Sequence, residues 1–259
     1  MRKNLLSAAT LVFLLSANGA VSGETDAGSA VRTGEFQLTL TLAEVIGADS
    51  ARNAEKIIPP DEPITWEIYV PDSYRPDNPA GLVVYISPTP SGEIPRGWKS
   101  VMDQRNMIWI AANRSGNRVV VPRRVVFAIV APTLAGKHYQ IDRERIYLSG
   151  LSGGGKMASM VATDHAHLFK GAVYNCGVDF WDKHPPRRFE LIKQNHYVFV
   201  TGTLDQALEP TKKVYKQYRS AGVENSKLMV IHDMTHRNPG SYDFDEALQY
   251  LDSRLKPAL

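Results

Sequence analysis

Among the side chains able to do covalent chemistry, Ser152 has the most telling surroundings. It sits at the centre of Gly150-Leu151-Ser152-Gly153-Gly154, a G-x-S-x-G pattern. The apolar run Ile146-Tyr147-Leu148 leads into it, and a helix-forming segment follows at once. A serine pushed out on a sharp strand-to-helix turn has a strained backbone and crowded neighbours. Small residues two before and two after it remove the side chains that would collide. The chemistry such a turn offers is nucleophilic attack by a hydroxyl. That hydroxyl is a weak nucleophile at neutral pH until a base takes its proton. A histidine must therefore lie within reach, and an acid must hold that histidine in the right tautomer.

Sites in α/β sheets form where parallel strands end, so the partners are sought in loops after later strands. The run His196–Thr201 is followed by Gly202-Thr203-Leu204-Asp205, and Lys227–Ile231 by His232-Asp233-Met234-Thr235-His236. The chain order Ser152, Asp205, His236 is the order expected of a nucleophile, acid and base on such a sheet. Asp179 is the rival acid, although it lacks the Gly-Thr-x-Asp setting, and Asp205 has a plainer alternative role as a helix cap. His236 is preferred to His232, which abuts a strand end. His165 and His167 fall on different faces of a helix and make no convincing metal pair, and His138, His184 and His196 carry no motif. For the oxyanion, the amide after the nucleophile is Gly153 N–H. The loop Ser87-Pro88-Thr89-Pro90-Ser91-Gly92 offers a second donor, with Thr89 the choice because prolines have no N–H.

The same glycines admit a phosphate-binding reading, since Gly150 to Lys156 also spells G-x-x-x-x-G-K. The next position argues against it. Met157 stands where a hydroxyl must reach magnesium, and a thioether is a poor ligand for that hard cation. No metal or organic cofactor is implied.

These residues need elements to position them, and the chain supplies an alternation. Phe36 to Leu42 and Ile64 to Val70 alternate apolar and polar positions, as an antiparallel half-exposed pair does. Leu82–Ile86 and Met107–Ala111 are continuous apolar runs, as fully buried parallel strands are, with a short helix between them around Gly97–Gln104. Val119 to His138 reads as a helix interrupted near Pro132. Strands at Arg145–Leu148, Gly171–Cys176, His196–Thr201 and Lys227–Ile231 alternate with helices at Gly154–Phe169, Phe189–Gln194, Pro210–Ala221 and Tyr242–Leu255. The expectation is a single α/β domain over residues 36–259, with a mainly parallel central sheet and helices on both faces.

Residues 1–22 read as a secretory signal peptide: Arg2 and Lys3, an apolar run from Leu5 to Leu15, then small residues up to Ser22. The run is short for a membrane span, so no stable anchor is expected after cleavage. Residues 23–35 are small and polar, a flexible mature N-terminus. The expected location is secreted or periplasmic. Of the formal charge of +3, two positive charges are Arg2 and Lys3, so no nucleic-acid partner is implied. Cys176 is the single cysteine, which rules out an internal disulfide, and its apolar segment points to burial.

At this point the chain resembles secreted α/β-hydrolase esterases of the polyhydroxybutyrate-depolymerase and feruloyl-esterase kind. The resemblance rests on residues 142–157 around the serine, Tyr69-Val70-Pro71 leading into Leu82–Ile86, Gly202-Thr203-Leu204-Asp205 and Met234-Thr235-His236. It implies an α/β-hydrolase fold with Ser152 as nucleophile, Asp205 as orienting acid and His236 as base, acting on a small or polymeric ester. Such enzymes place His-Gly before the oxyanion loop, and here Ser87-Pro88 stands instead. That departure keeps a catalytically weak binding protein as an alternative. A serine peptidase is the other, because a triad alone does not separate esters from amides. Trp98, Tyr139 and Trp181 are candidates for lining the substrate pockets.

Overall fold

The computed structural model describes residues 31–181 and 184–255, so the signal-peptide segment lies outside the described residues. The N-terminal strand β1 (Gly34–Thr41) starts two residues earlier than the alternation suggests, inside the stretch expected to be loose. It pairs antiparallel with β2 (Pro63–Val70), which pairs antiparallel with β4 (Met107–Ala112). From there the sheet is parallel: β4, β3 (Ala80–Ile86), β5 (Ile141–Leu151), β6 (Gly171–Asn175), β7 (His196–Gly202) and β8 (Ser226–Ile231). The eight strands run β1-β2-β4-β3-β5-β6-β7-β8. Every residue of β3, β4 and β6 is buried, as two-sided cover of a parallel sheet requires.

Two helical layers supply that cover. On one face, α3 (Trp98–Arg105) and α8 (Ser241–Asp252) pack Trp98, Val101, Phe244 and Leu248 over Trp109 and Val198. The Trp98 and Phe244 rings stack with centroids 3.4 Å apart. On the other face, α4 (Val121–His138), α5 (Gly153–Asp164) and the later helices α6 (Phe189–Gln194) and α7 (Leu208–Ser220) bury Phe127, Leu134, Val161, Ile192 and Tyr218.

Three local expectations change. The helix expected to break near Pro132 is a single 18-residue helix with Pro132 inside it. Proline removes one hydrogen bond, but Val130, Ala131, Pro132, Leu134 and Ala135 are all buried against the sheet, and tertiary packing outweighs that loss. The segment expected to be helical to Phe169 stops at Asp164. The β1 alternation ends at Thr41, because Thr41 caps the short helix α1 (Leu42–Ile46) in a capping box with Glu44. A second short helix, α2 (Ala48–Arg52), follows. Among the described residues, no helix is long and apolar enough to cross a membrane.

Candidate active site

β5 runs out at Leu151 and α5 begins at Gly153, leaving Ser152 alone on the turn with φ 55° and ψ −119°. That region is nearly closed to residues with a Cβ. The turn is held by its backbone: Ser152 N–H donates to the Asn175 carbonyl at 2.8 Å, and Lys156 N–H to the Ser152 carbonyl at 3.1 Å. Gly154 explains the pattern's last position. A methyl group there would lie 1.8 Å from the Ile86 carbonyl oxygen, so α5 abuts the end of β3 only because the residue is glycine. With one residue between strand and helix, no loop remains to wrap a phosphate. Met157, buried at 5% exposure, turns into the core. The phosphate-binding reading has no geometric basis.

Asp205 follows β7 in a tight turn and is 5% exposed. One carboxylate oxygen accepts from Thr201 Oγ1 at 2.9 Å. The other accepts from Ala207 N–H at 2.9 Å and lies 2.7 Å from His236 Nδ1. Asp205 is not the cap of α7, whose N-cap is Ala207 with no side-chain cap bond; its carboxylate takes the Ala207 N–H in the turn before the helix and faces His236. Burial pushes its carboxyl up. Hydrogen bonds from Cys176, Ala207 N–H, His236 and Thr201 together outweigh that effect, and the acid ends below the ordinary carboxylate value. The rival residues lie elsewhere. Asp179 faces Lys156 at 3.8 Å, and His232 is solvent-exposed beside Asp233.

His236 stands in the loop between β8 and α8, and that loop is pinned from several sides. Leu204 N–H donates to Met234 O at 3.1 Å, and Asp233 N–H to Thr203 Oγ1 at 2.9 Å, tying it to the Asp205 turn. Across the sheet top, Asn238 Nδ2 donates to Tyr85 Oη at 3.0 Å and Trp98 Nε1 to Pro239 O at 3.0 Å. Trp98 is therefore a core anchor for this loop and not a pocket wall. Tyr139 is also buried, its hydroxyl donating to Arg32 O at the far end of α4. Trp181 is half-buried and stacks on Phe180, beside Tyr218.

The segment after β6 draws the three loops together. Asn175 O holds Ser152, Gly177 backs onto the Ser152 carbonyl, and the Cys176 thiol donates to Arg237 O at 3.3 Å. Cys176 is 1% exposed, and burial beside Asp205 drives its thiol far above the usual range, so it stays protonated. Ligand atoms of Cys176, Asp205 and His236 lie within 4.8 Å of one another. The 2.7 Å contact is nevertheless a hydrogen-bond distance, because an ion bound to both atoms at about 2.0–2.2 Å would hold them further apart.

The loop after β3 is equally fixed. The guanidinium of Arg124, 4% exposed, donates to Ser87 O at 2.9 Å, and Asn117 N–H donates to Pro88 O at 2.9 Å. Thr89 N–H, expected to face the oxyanion, donates to Ser87 Oγ at 3.1 Å instead. Gly153 N–H, in the first turn of α5, has no acceptor within the helix, and among the described residues it has no backbone acceptor elsewhere. The sequence did hold a signal for Thr89: a serine two residues before it can take the amide in a local turn.

The strand order, the strained turn and the three converging loops invite comparison with known proteins. Residues 127–185, from α4 past β6, match the prolyl oligopeptidase family. No curated protein matches the chain. A feruloyl esterase module from Clostridium thermocellum aligns with a TM-score of 0.63 at 14% identity, over 87% of this chain and 91% of that one. A ferulic acid esterase aligns at 0.58 and 16%, over 85% and 98%. Dipeptidyl peptidase 4 from Porphyromonas gingivalis aligns at 0.55 and 15%, over 74% of this chain and 34% of that one. The chain thus spans about a third of that peptidase's length and nearly all of the esterases'. The chain has the α/β-hydrolase fold that these esterases and peptidases share.

Proposed function

We propose that the protein is a secreted or periplasmic serine hydrolase that cleaves carboxylic esters, small or polymeric, through an acyl-enzyme. The observation that carries the reading is the 2.7 Å contact between Asp205 and His236, made by the loops after β7 and β8 on the same sheet edge as the strained Ser152. Asp205 fixes a proton on His236 Nδ1, leaving Nε2 to accept the Ser152 proton. The Ser152 oxygen then adds to the acyl carbon, and the carbonyl oxygen takes the charge near Gly153 N–H. His236 returns the proton to the leaving alcohol as the C–O bond breaks. Water repeats the sequence, with His236 as its base, and releases the acid. Mass spectrometry after a fluorophosphonate probe tests this. A single adduct on Ser152, absent from Ser152→Ala and suppressed in His236→Ala, is the expected result. A folded protein that takes no adduct would leave the binding-protein alternative.

A peptidase is the second reading, supported by the match of residues 127–185 to the prolyl oligopeptidase family. Esters are favoured because the esterases align over nearly their whole length. Hydrolysis of peptidyl anilides with no turnover of acyl esters would reverse that preference.

A further inference from the structure

The oxyanion needs two donors, and the described loop after β3 has few to give. Thr89 N–H is bound to Ser87 Oγ, Gly92 N–H donates to Asn113 Oδ1 at 2.8 Å, and Pro88 and Pro90 have no N–H, which leaves only the amides of Ser87 and Ser91. The loop is also held where it is, by Arg124 on Ser87 O, by Asn117 N–H on Pro88 O and by Arg114 N–H on Pro90 O at 2.6 Å. Turning an amide toward substrate would break these bonds.

A different donor lies against Gly153. We propose that the side-chain carboxamide of Asn117 is the second oxyanion donor, acting opposite Gly153 N–H; this rests on the serine-hydrolase reading above. A Cβ built on Gly153 would lie 2.2 Å from Asn117 Oδ1, 2.7 Å from Cγ and 2.8 Å from Nδ2. The carboxamide therefore lies across the Cα of the residue that carries the first donor. That contact also explains a glycine which the G-x-S-x-G pattern leaves open: any side chain at 153 would displace Asn117.

Asn117 is placed by a rigid turn. Its own N–H is bonded to Pro88 O, Gly116 packs against the Thr89 main chain, and Ser115, buried, donates its hydroxyl to Ala112 O at 2.7 Å. The side chain is exposed, and among the described residues its carboxamide has no hydrogen-bond partner. A carboxamide against the residue that follows the serine, with no bond of its own among the described residues, is open to a ligand atom. A half-turn about the Cβ–Cγ–amide axis exchanges Oδ1 and Nδ2, so either face brings an N–H over Gly153. The carboxamide donates without giving up a proton, and its bond strengthens as the carbonyl oxygen becomes an alkoxide. In this way the chain compensates for Ser87-Pro88 where related enzymes place His-Gly.

The test compares wild type, Asn117→Ala and Asn117→Asp with an activated acyl ester and a trifluoromethyl-ketone analogue of the tetrahedral state. Expected is a fall in kcat of about 10²–10³-fold in Asn117→Ala, with KM little changed. Affinity for the ketone should fall by a similar factor, and affinity for the product carboxylic acid should hold. Asn117→Asp should lose more, because it sets a negative charge beside the oxyanion. A merely structural role would not move the ketone selectively. If Asn117→Ala keeps kcat and ketone affinity within about threefold of wild type while Ser152→Ala is dead, the donor is elsewhere and the hydrolase reading stands. A wild-type protein that takes no fluorophosphonate would instead remove the parent reading.

Discussion

Gly154→Ala and Gly136→Ala add the same methyl group and should act in opposite directions. At Gly154 the new carbon would lie 1.8 Å from Ile86 O and 2.9 Å from Ile86 C, both main-chain atoms of β3. Comfortable contact is about 3.5 Å, so α5 and the end of β3 must part by roughly 1.5 Å. No side chain can rotate to relieve this. Overpacking of that kind costs about 1–3 kcal/mol, and the rigid neighbours put it at the upper end. At about 2–4 °C per kcal/mol for a domain of this size, Tm should fall by roughly 6–12 °C. The shift also separates Ser152 from the loop after β3, and a displacement of about 1 Å costs about 10²-fold in rate. At Gly136, inside α4, a Cβ meets nothing within 4 Å. Alanine there should stabilise by about 0.5–1 kcal/mol, raising Tm by roughly 1–4 °C with activity unchanged. Thermal melts followed by circular dichroism, with ester turnover alongside, decide the matter. Melting of Gly154→Ala together with wild type would refute the claim that the Gly154–Ile86 approach is rigid.

The strained Ser152 backbone holds about 1–3 kcal/mol, of which glycine would relieve most and alanine none; allowing about 0.5–1 kcal/mol for glycine's greater chain entropy, Ser152→Gly should be the more stable dead variant by about 0.5–2 kcal/mol. Equal urea midpoints for the two would mean that the turn is unstrained. Asp205→Asn should leave the far-ultraviolet spectrum intact and lower kcat by about 10³–10⁴-fold, because His236 would sit in the wrong tautomer; a loss under tenfold would dismiss Asp205 as its orienting acid. The folded Asp205 carboxyl lies below its ordinary value. It therefore contributes stability above the unfolded value of about 3.9, and that contribution is lost as pH falls through the lower folded value. The stability gap between wild type and Asp205→Asn should accordingly narrow below about pH 4, and a gap that is constant with pH would contradict the depressed carboxyl.

Much of the sheet was legible because its strands are written in two plain codes. Alternation over Phe36–Leu40 marks the half-exposed edge strand β1, and unbroken apolar runs at Leu82–Ile86 and Met107–Ala111 mark the buried interior; Ile64–Val70 alternates too, yet from Trp66 onward it is buried throughout, because β2 lies between β1 and β4. Asp205 and His236 could be paired on paper because loops after successive parallel strands converge on one edge. What stayed hidden depends on contacts between distant segments. Nothing around Pro132 says that burial will carry the helix through it. Arg124 reaches Ser87 across 37 positions, and Asn117 overlies Gly153 from a turn that reads as an ordinary polar loop. The capping box at Thr41 and Glu44 was visible in the sequence, but five-residue helices have too little periodicity to stand out beside a strand.

Ser152 and His236 are held by unequal parts of the sheet. β5 is hydrogen-bonded along both sides, whereas β8 ends the sheet and has β7 alone for a neighbour. Margins of a sheet open locally at a fraction of the global unfolding energy. Opening at His236 is resisted by its bonds to the turn after β7 and by a clasp of three more, with Tyr85, Trp98 and Cys176, thrown over the top of the sheet to the loop beyond β8. The His236 loop thus has its own breathing mode. The free energy of releasing His236 includes this clasp as well as the strand ladder, and amide exchange in residues 234–239 can quicken while the serine turn stays closed.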